Sequence, residues 1–97
     1  MINIQVRTIG SIRRILGAAE LDITLEEGAT IETLFRCLIR QYGDAFAYLV
    51  TDSEGRIATP HTRVLINGRD LFLLNNMDTV LSEGDIVSLI SVIAGGL

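Results

Sequence analysis

From Ile2 to Ile9 the chain alternates apolar and polar residues, Ile-Asn-Ile-Gln-Val-Arg-Thr-Ile, and this period of two predicts a half-buried strand. After Gly10, the run Ser11-Ile12-Arg13-Arg14-Ile15-Leu16 stops at Gly17 and predicts a short helical turn with a serine start and a glycine stop. Leu21, Ile23 and Leu25 alternate with Asp22, Thr24 and Glu26, which predicts a second strand paired with the first and closed by Glu27-Gly28. The period then changes. Ile31, Leu34, Phe35, Leu38, Ile39 and Tyr42 recur at helical spacing behind Thr30, whose hydroxyl can cap the first free amides, and Gly43 is the stop. Glu32, Arg36 and Arg40 fall on the wet side of this helix, where glutamate-to-arginine pairing is expected, and Cys37 lies off its apolar stripe.

Between Asp44 and His61 the periodicity weakens, and Thr51-Asp52-Ser53-Glu54-Gly55 has the composition of a turn. Thr62 to Ile66 is a strand running into Asn67-Gly68, a pair suited to a tight hairpin turn because both residues accept positive φ. A short strand at Arg69 to Leu71 follows, then a polar connection through Asn75, Asn76 and Asp78. The turn Ser82-Glu83-Gly84-Asp85 launches a last strand from Ile86 to Ile93. One substantial helix among strands in the order β-β-α, connection, β-β-β predicts a two-layer α+β domain. Because the chain begins and ends in strands, the first and last can lie side by side in the middle of the sheet. The expected fold is thus a β-grasp, ubiquitin-like, with a mixed four- to five-stranded sheet packed on one main helix. One domain over residues 1–93 is expected, with residues 94–97 as a flexible tail.

Composition narrows the chemistry. Of 97 residues, 48% are apolar, enough for a single modest core, and no run approaches the length of a membrane helix. Met1 leads straight into a strand pattern rather than a signal sequence, so a cytoplasmic location is expected, with no membrane association. The net charge of −4 argues against non-specific attraction to nucleic acid and favours basic or apolar partner surfaces. All 8 basic residues are arginine. One cysteine, Cys37, and one histidine, His61, leave neither a disulfide nor a metal cluster to be expected.

No catalytic constellation stands out. There is no phosphate-binding glycine loop, nucleophile elbow or His/Glu metal spacing. Cys37 suits a small core filler, His61 an exposed loop residue after Pro60, and Tyr42 and Tyr48 the edges of the core. Glu26 and Glu27 point to opposite faces of a strand end and form a solvated turn. The last strand departs from this blandness. Ile86, Val87, Leu89, Ile90, Val92 and Ile93 put apolar side chains on both faces, although the helix covers only one, so a partner is expected on the other. The strand leads into Ala94-Gly95-Gly96-Leu97, where glycines add nothing to packing but can pass a channel that closes tightly on the backbone.

Taken together these residues resemble the MoaD/ThiS family of β-grasp sulfur carriers, which includes the small subunit of molybdopterin synthase. The likeness is carried by Ile9-Gly10-Ser11-Ile12-Arg13-Arg14-Ile15-Leu16-Gly17, Val64-Leu65-Ile66-Asn67-Gly68-Arg69, Met77-Asp78-Thr79-Val80-Leu81, Gly84-Asp85-Ile86-Val87 and Ala94-Gly95-Gly96, in order along the whole chain. The resemblance implies a carrier, not an enzyme. An E1-like partner of the MoeB/ThiF kind, using its own ATP and Mg, would adenylate the carboxylate of Gly96, and a sulfur donor would convert it to a thiocarboxylate. It further implies a partner resembling the molybdopterin synthase large subunit, no cofactor bound by this chain, and Ile9, Arg13 and Ile90 at the partner interface. Molybdenum or tungsten cofactor synthesis is the expected destination, with a thiamine-type carrier or a ubiquitin-like protein modifier as the alternatives.

Two departures from the family pattern bear on this. Leu89-Ile90-Ser91-Val92-Ile93 stands where the family has aromatic and proline residues. Leu97 follows the glycine that should be terminal, so its removal by a peptidase is expected before activation.

Overall fold

The computed structural model describes residues 1–59 and 61–91. Eight residues, Ile2–Ile9, form β1, with Ile2, Ile4, Val6 and Thr8 turned into the core and Asn3, Gln5, Arg7 and Ile9 turned away. The helix α1, Ile12–Leu16, buries Ile12 and Leu16 one turn apart and ends at Gly17, whose amide donates to the Arg13 carbonyl at 2.9 Å in a left-handed cap. β2 spans Glu20–Leu25.

Ile31–Tyr42 forms α2, the main helix. Thr30 and Thr33 cap it reciprocally, each backbone amide donating to the other's hydroxyl. Its buried stripe is Ile31, Leu34, Phe35 and Leu38, while Glu32 and Arg36 pair at 3.0 Å on the wet side. The weakly patterned stretch that follows contains a helix the periodicity does not announce, α3, Asp44–Leu49. It is under two turns long, has no side-chain N-cap, and is held by Phe46 and Leu49; Phe46 meets Phe35 edge-to-face at 6.1 Å. Gly43, at φ 78°, closes α2 and opens α3.

Two expectations in this region are corrected. Tyr48 is 65% exposed rather than at the core edge. His61 is half-buried, its ring stacked on Tyr48 at 5.1 Å and 10°, so the tyrosine shields it from the solvent that its loop position implied.

β3, Thr62–Ile66, turns through Asn67 and Gly68, both at positive φ, into the two-residue β4, Arg69–Asp70. Leu71 begins a 3₁₀ turn rather than extending that strand, because the Asp70 side chain accepts the Phe72 amide and starts the turn. β5 covers Ile86–Ser91, and the expected continuation through Val92 and Ile93 lies outside the described residues. The Asn67 side chain also accepts the Ile86 amide and donates to Asp85, tying the hairpin turn to the start of β5.

The sheet has five strands in the order β2-β1-β5-β3-β4. β1 and β5 run parallel at its centre, flanked by antiparallel partners. One face carries α1, α2 and α3 over a continuous core that includes the fully buried Val6, Val87, Leu89, Phe35 and Phe46. This is the β-grasp arrangement of an α+β domain, and among the described residues it leaves the opposite face of the sheet without a helix.

Candidate functional site

β5 runs between β1 and β3 and delivers the chain towards the C-terminal glycines. Its last described residue, Ser91, is fixed by side chain and backbone together. The Ser91 hydroxyl accepts the amide of Ile12 at 2.7 Å, joining the end of β5 to the start of α1. Gly10 makes this approach possible: a Cβ there would lie 3.3 Å from the Ser91 Cβ, and its φ of +88° is itself a glycine conformation. The Ile9-Gly10 step thus turns β1 into α1 and leaves room for the end of β5.

On the helix-free face, the register places Ile9 opposite Ile90, Arg7 opposite Ser88 and Gln5 opposite Ile86. On the other flank of β5, Arg63 is opposite Ile90 and Leu65 opposite Ser88. The result is an apolar patch of Ile9, Ile86, Ile90 and Leu65 in a polar frame. Ile9 is its most open member, 53% exposed, whereas Ile86, Ile90 and Leu65 are half-buried by their neighbours. Val87 and Leu89 point the other way and are fully buried beneath the helices.

The frame is charged but internally balanced. Arg63 donates to Asp70 at 3.0 Å, and Arg7 donates to Gln5 at 3.0 Å and lies 3.7 Å from Glu20. The Phe72 amide, followed by the Arg63 guanidinium, holds the Asp70 carboxyl below its ordinary range, so the pair is charged at neutral pH. Arg13 and Arg14 are different. Both are exposed on α1 and form no ion pair with the described residues; they border a surface depression with Gly10, Gly17, Ala18 and Ala19.

The structure therefore brings Ile9 and Ile90 together as register partners on one face. Arg13 sits on the adjoining helix whose first amide holds Ser91. Ala94, Gly95, Gly96 and Leu97, with the flexible tail expected for them, lie outside the described residues. Sequence reasoning missed Leu65, Ser91 and Gly10. Leu65 carried a readable signal, an apolar residue between the core positions Val64 and Ile66, which is the two-faced pattern already noted in β5. Ser91 carried none, because its partner Ile12 is 79 residues away.

A single β-grasp domain with an apolar helix-free face, whose central strand leads to a Gly-Gly tail, defines a ubiquitin-like carrier or modifier. The profile of the ThiS family matches residues 6–96, from β1 through the second tail glycine, and the chain belongs to that family. It is 31% identical over 93 residues to small archaeal modifier protein 3 of Haloferax volcanii, covering 96% of this chain and 98% of that protein. Among solved structures, Urm1 from Trypanosoma brucei superposes with a TM-score of 0.79 at 27% identity, covering 97% of this chain and 95% of that one. A Pyrococcus furiosus protein assigned as subunit 1 of a molybdopterin converting factor superposes at 0.76 with 22% identity, covering 96% and 100%, a likeness of fold.

Proposed function

We propose that this chain is a carrier whose Gly96 carboxylate is activated by an E1-like partner and then converted to a thiocarboxylate. The observation that carries the reading is the family match running through Gly96, on a fold whose central strand is pinned at Ser91, five residues before that glycine. In the proposed first step a Gly96 carboxylate oxygen attacks the α-phosphorus of ATP and pyrophosphate leaves, giving an acyl-adenylate. In the second a hydrosulfide equivalent attacks the acyl carbon and AMP leaves. A carboxylate is a poor electrophile and a mixed anhydride a good one, so the catalytic groups and the Mg·ATP belong to the partner. This chain supplies a docking face, centred on Ile9 and Ile90 with Arg13 beside it, and a carboxylate on a narrow stem.

The first step needs a free Gly96 carboxylate. Residues beyond Gly96, beginning with Leu97, would displace the reactive carbon by about 3.3–3.6 Å per residue, which in-line attack does not tolerate. Removal of Leu97 by a peptidase is therefore part of the proposal. Molybdenum or tungsten cofactor synthesis, with a large-subunit-like acceptor of the sulfur, is the destination implied by the resemblance of the sequence blocks.

The 31% identity to a small archaeal modifier protein favours a second reading, in which the same activated carboxyl is passed to amines of other proteins. With no lysine of its own, the chain offers no side-chain amine for building polymers.

One experiment tests both. The form ending at Gly96 is incubated with an E1-like enzyme, ATP and sulfide, with and without lysine-bearing acceptor proteins. A mass gain of about 16 Da, oxygen replaced by sulfur, is the expected carrier outcome. Isopeptide transfer to the acceptor supports the modifier, and no ATP-dependent change overturns both. The form retaining Leu97 should give no pyrophosphate exchange; equal activation of the two forms overturns the processing step.

A further inference from the structure

The two edges of the sheet are unequal. β4 ends one edge after two residues and gives way to a 3₁₀ turn, a short edge that offers little to pair with. β2 ends the other over six residues, with β1 as its one neighbour in the sheet. Thr8 donates its amide to the carbonyl of Ala19, the residue directly opposite it in the β1–β2 register. In an antiparallel pair the residues facing the partner strand alternate with those facing away, so Leu21, Ile23 and Leu25 bond to β1 while the backbone groups of Glu20, Asp22 and Thr24 point outward. No protein group among the described residues accepts from or donates to them.

A second feature lies against this edge. A groove runs between it and α2, with Thr24 and Leu25 on the strand side and Thr33, Arg36, Cys37 and Arg40 on the helix side. Leu21 and Ile23 face the helix layer but remain half-buried, unlike Ile4 and Val6 one strand inward, because none of the described residues covers them from the edge. The other face of the edge carries Glu20, Asp22 and Thr24, with Glu26 and Glu27 at the strand's end; Glu20 lies 3.7 Å from Arg7, and Asp22 forms no ion pair among the described residues.

We propose that the free edge of β2 and its groove form a docking site for an extended segment of a partner protein in which basic and apolar residues alternate. Such a segment adds a sixth strand. Its backbone satisfies the outward groups of Glu20, Asp22 and Thr24, and its apolar side chains cover Leu21, Ile23 and the groove beside Cys37. Its basic side chains lie beside Glu20 and Asp22 on the opposite face. Charge decides against a second copy of this chain as the occupant, because symmetric antiparallel pairing of β2 with β2 sets Asp22 either against its own equivalent or against the Glu20 of the other copy. The site goes beyond the proposed function: it uses no tail residue and lies on the far side of β1 from β5.

The test uses the full chain and three labelled hexapeptides in fluorescence anisotropy and amide-exchange experiments. The first alternates Arg and Val, the second alternates Glu and Val, and the third carries Arg-Arg-Arg-Val-Val-Val. The alternating basic peptide should bind at least tenfold more tightly than either control and slow amide exchange at Glu20, Asp22 and Thr24. Asp22→Pro removes one outward amide without removing a bond to β1, which a proline on an edge strand allows. It should reduce binding at least tenfold while leaving exchange in β1 unchanged. If that variant does not fold, Asp22→Arg decides, and it should shift the preference towards the acidic peptide. Equal binding of the alternating and block peptides, undiminished binding by Asp22→Arg, or protection mapping to Leu65 and Ile90 overturns the proposal, as does a dimer of the free chain protected along β2.

Discussion

Two residues away from the tail carry unusual local constraints. Gly10 combines a left-handed φ with a close approach to Ser91, so Gly10→Ala is strained whether or not the neighbour gives way. A loss of roughly 1–2 kcal/mol in urea unfolding is expected from the backbone conformation alone. The same variant should loosen the Ser91–Ile12 bond, seen as faster exchange of the Ile12 amide. Asp70 makes the second case. Its carboxylate accepts from the Phe72 amide and from Arg63, and both interactions hold its folded pKa below the ordinary aspartate range. A depressed carboxyl stabilises the fold above the unfolded pKa, and this contribution fades as pH falls through the folded value. Asp70→Asn should accordingly melt below the parent at pH 7, and the gap should close below the ordinary carboxylate range.

The strands and helices differ in how plainly the chain announced them. β1, α1, α2, the Asn67-Gly68 hairpin and the start of β5 each pair a clear period with a glycine, threonine or asparagine at the boundary, so they were legible. α3 was not, since six residues hold too few apolar positions to establish a helical period, and it exists because Phe46 completes a contact with Phe35 across the core. Phe46→Ala should thus cost about 3–5 kcal/mol, in line with other large core truncations, although nothing local marks the residue as structural. β5 divides the same way between its two faces. Leu89→Ala empties a fully buried position and should cost about 2–5 kcal/mol. Ile90→Asp alters a half-buried position on the helix-free face and should chiefly weaken binding to an E1-like partner, read by pull-down or calorimetry. If Ile90→Asp instead unfolds the protein, the patch is core and the interface assignment fails. The expectation of a two-faced last strand was sound because it rested on composition alone. Which of its faces holds a given residue needed the register with β1.

The whole molecule is assembled around its last strand. Until β5 is in place, β1-β2 and β3-β4 are separate hairpins sharing no backbone hydrogen bonds, and Val87 and Leu89 are missing from the core. A chain truncated at Asp85 should lack cooperative unfolding altogether, measured by calorimetry, rather than lose a fraction of its stability. The parallel contact between β1 and β5 also has a mechanical consequence. The two strands leave the domain towards opposite ends of the chain, so tension between the N-terminus and a tail gripped by another protein acts along both strands in opposite senses. Their slanted hydrogen bonds are then loaded together, in shear, instead of being peeled one at a time. A pull on the tail meets the domain in its strongest direction, and force spectroscopy should find a higher rupture force between the two ends than across the β1–β2 turn.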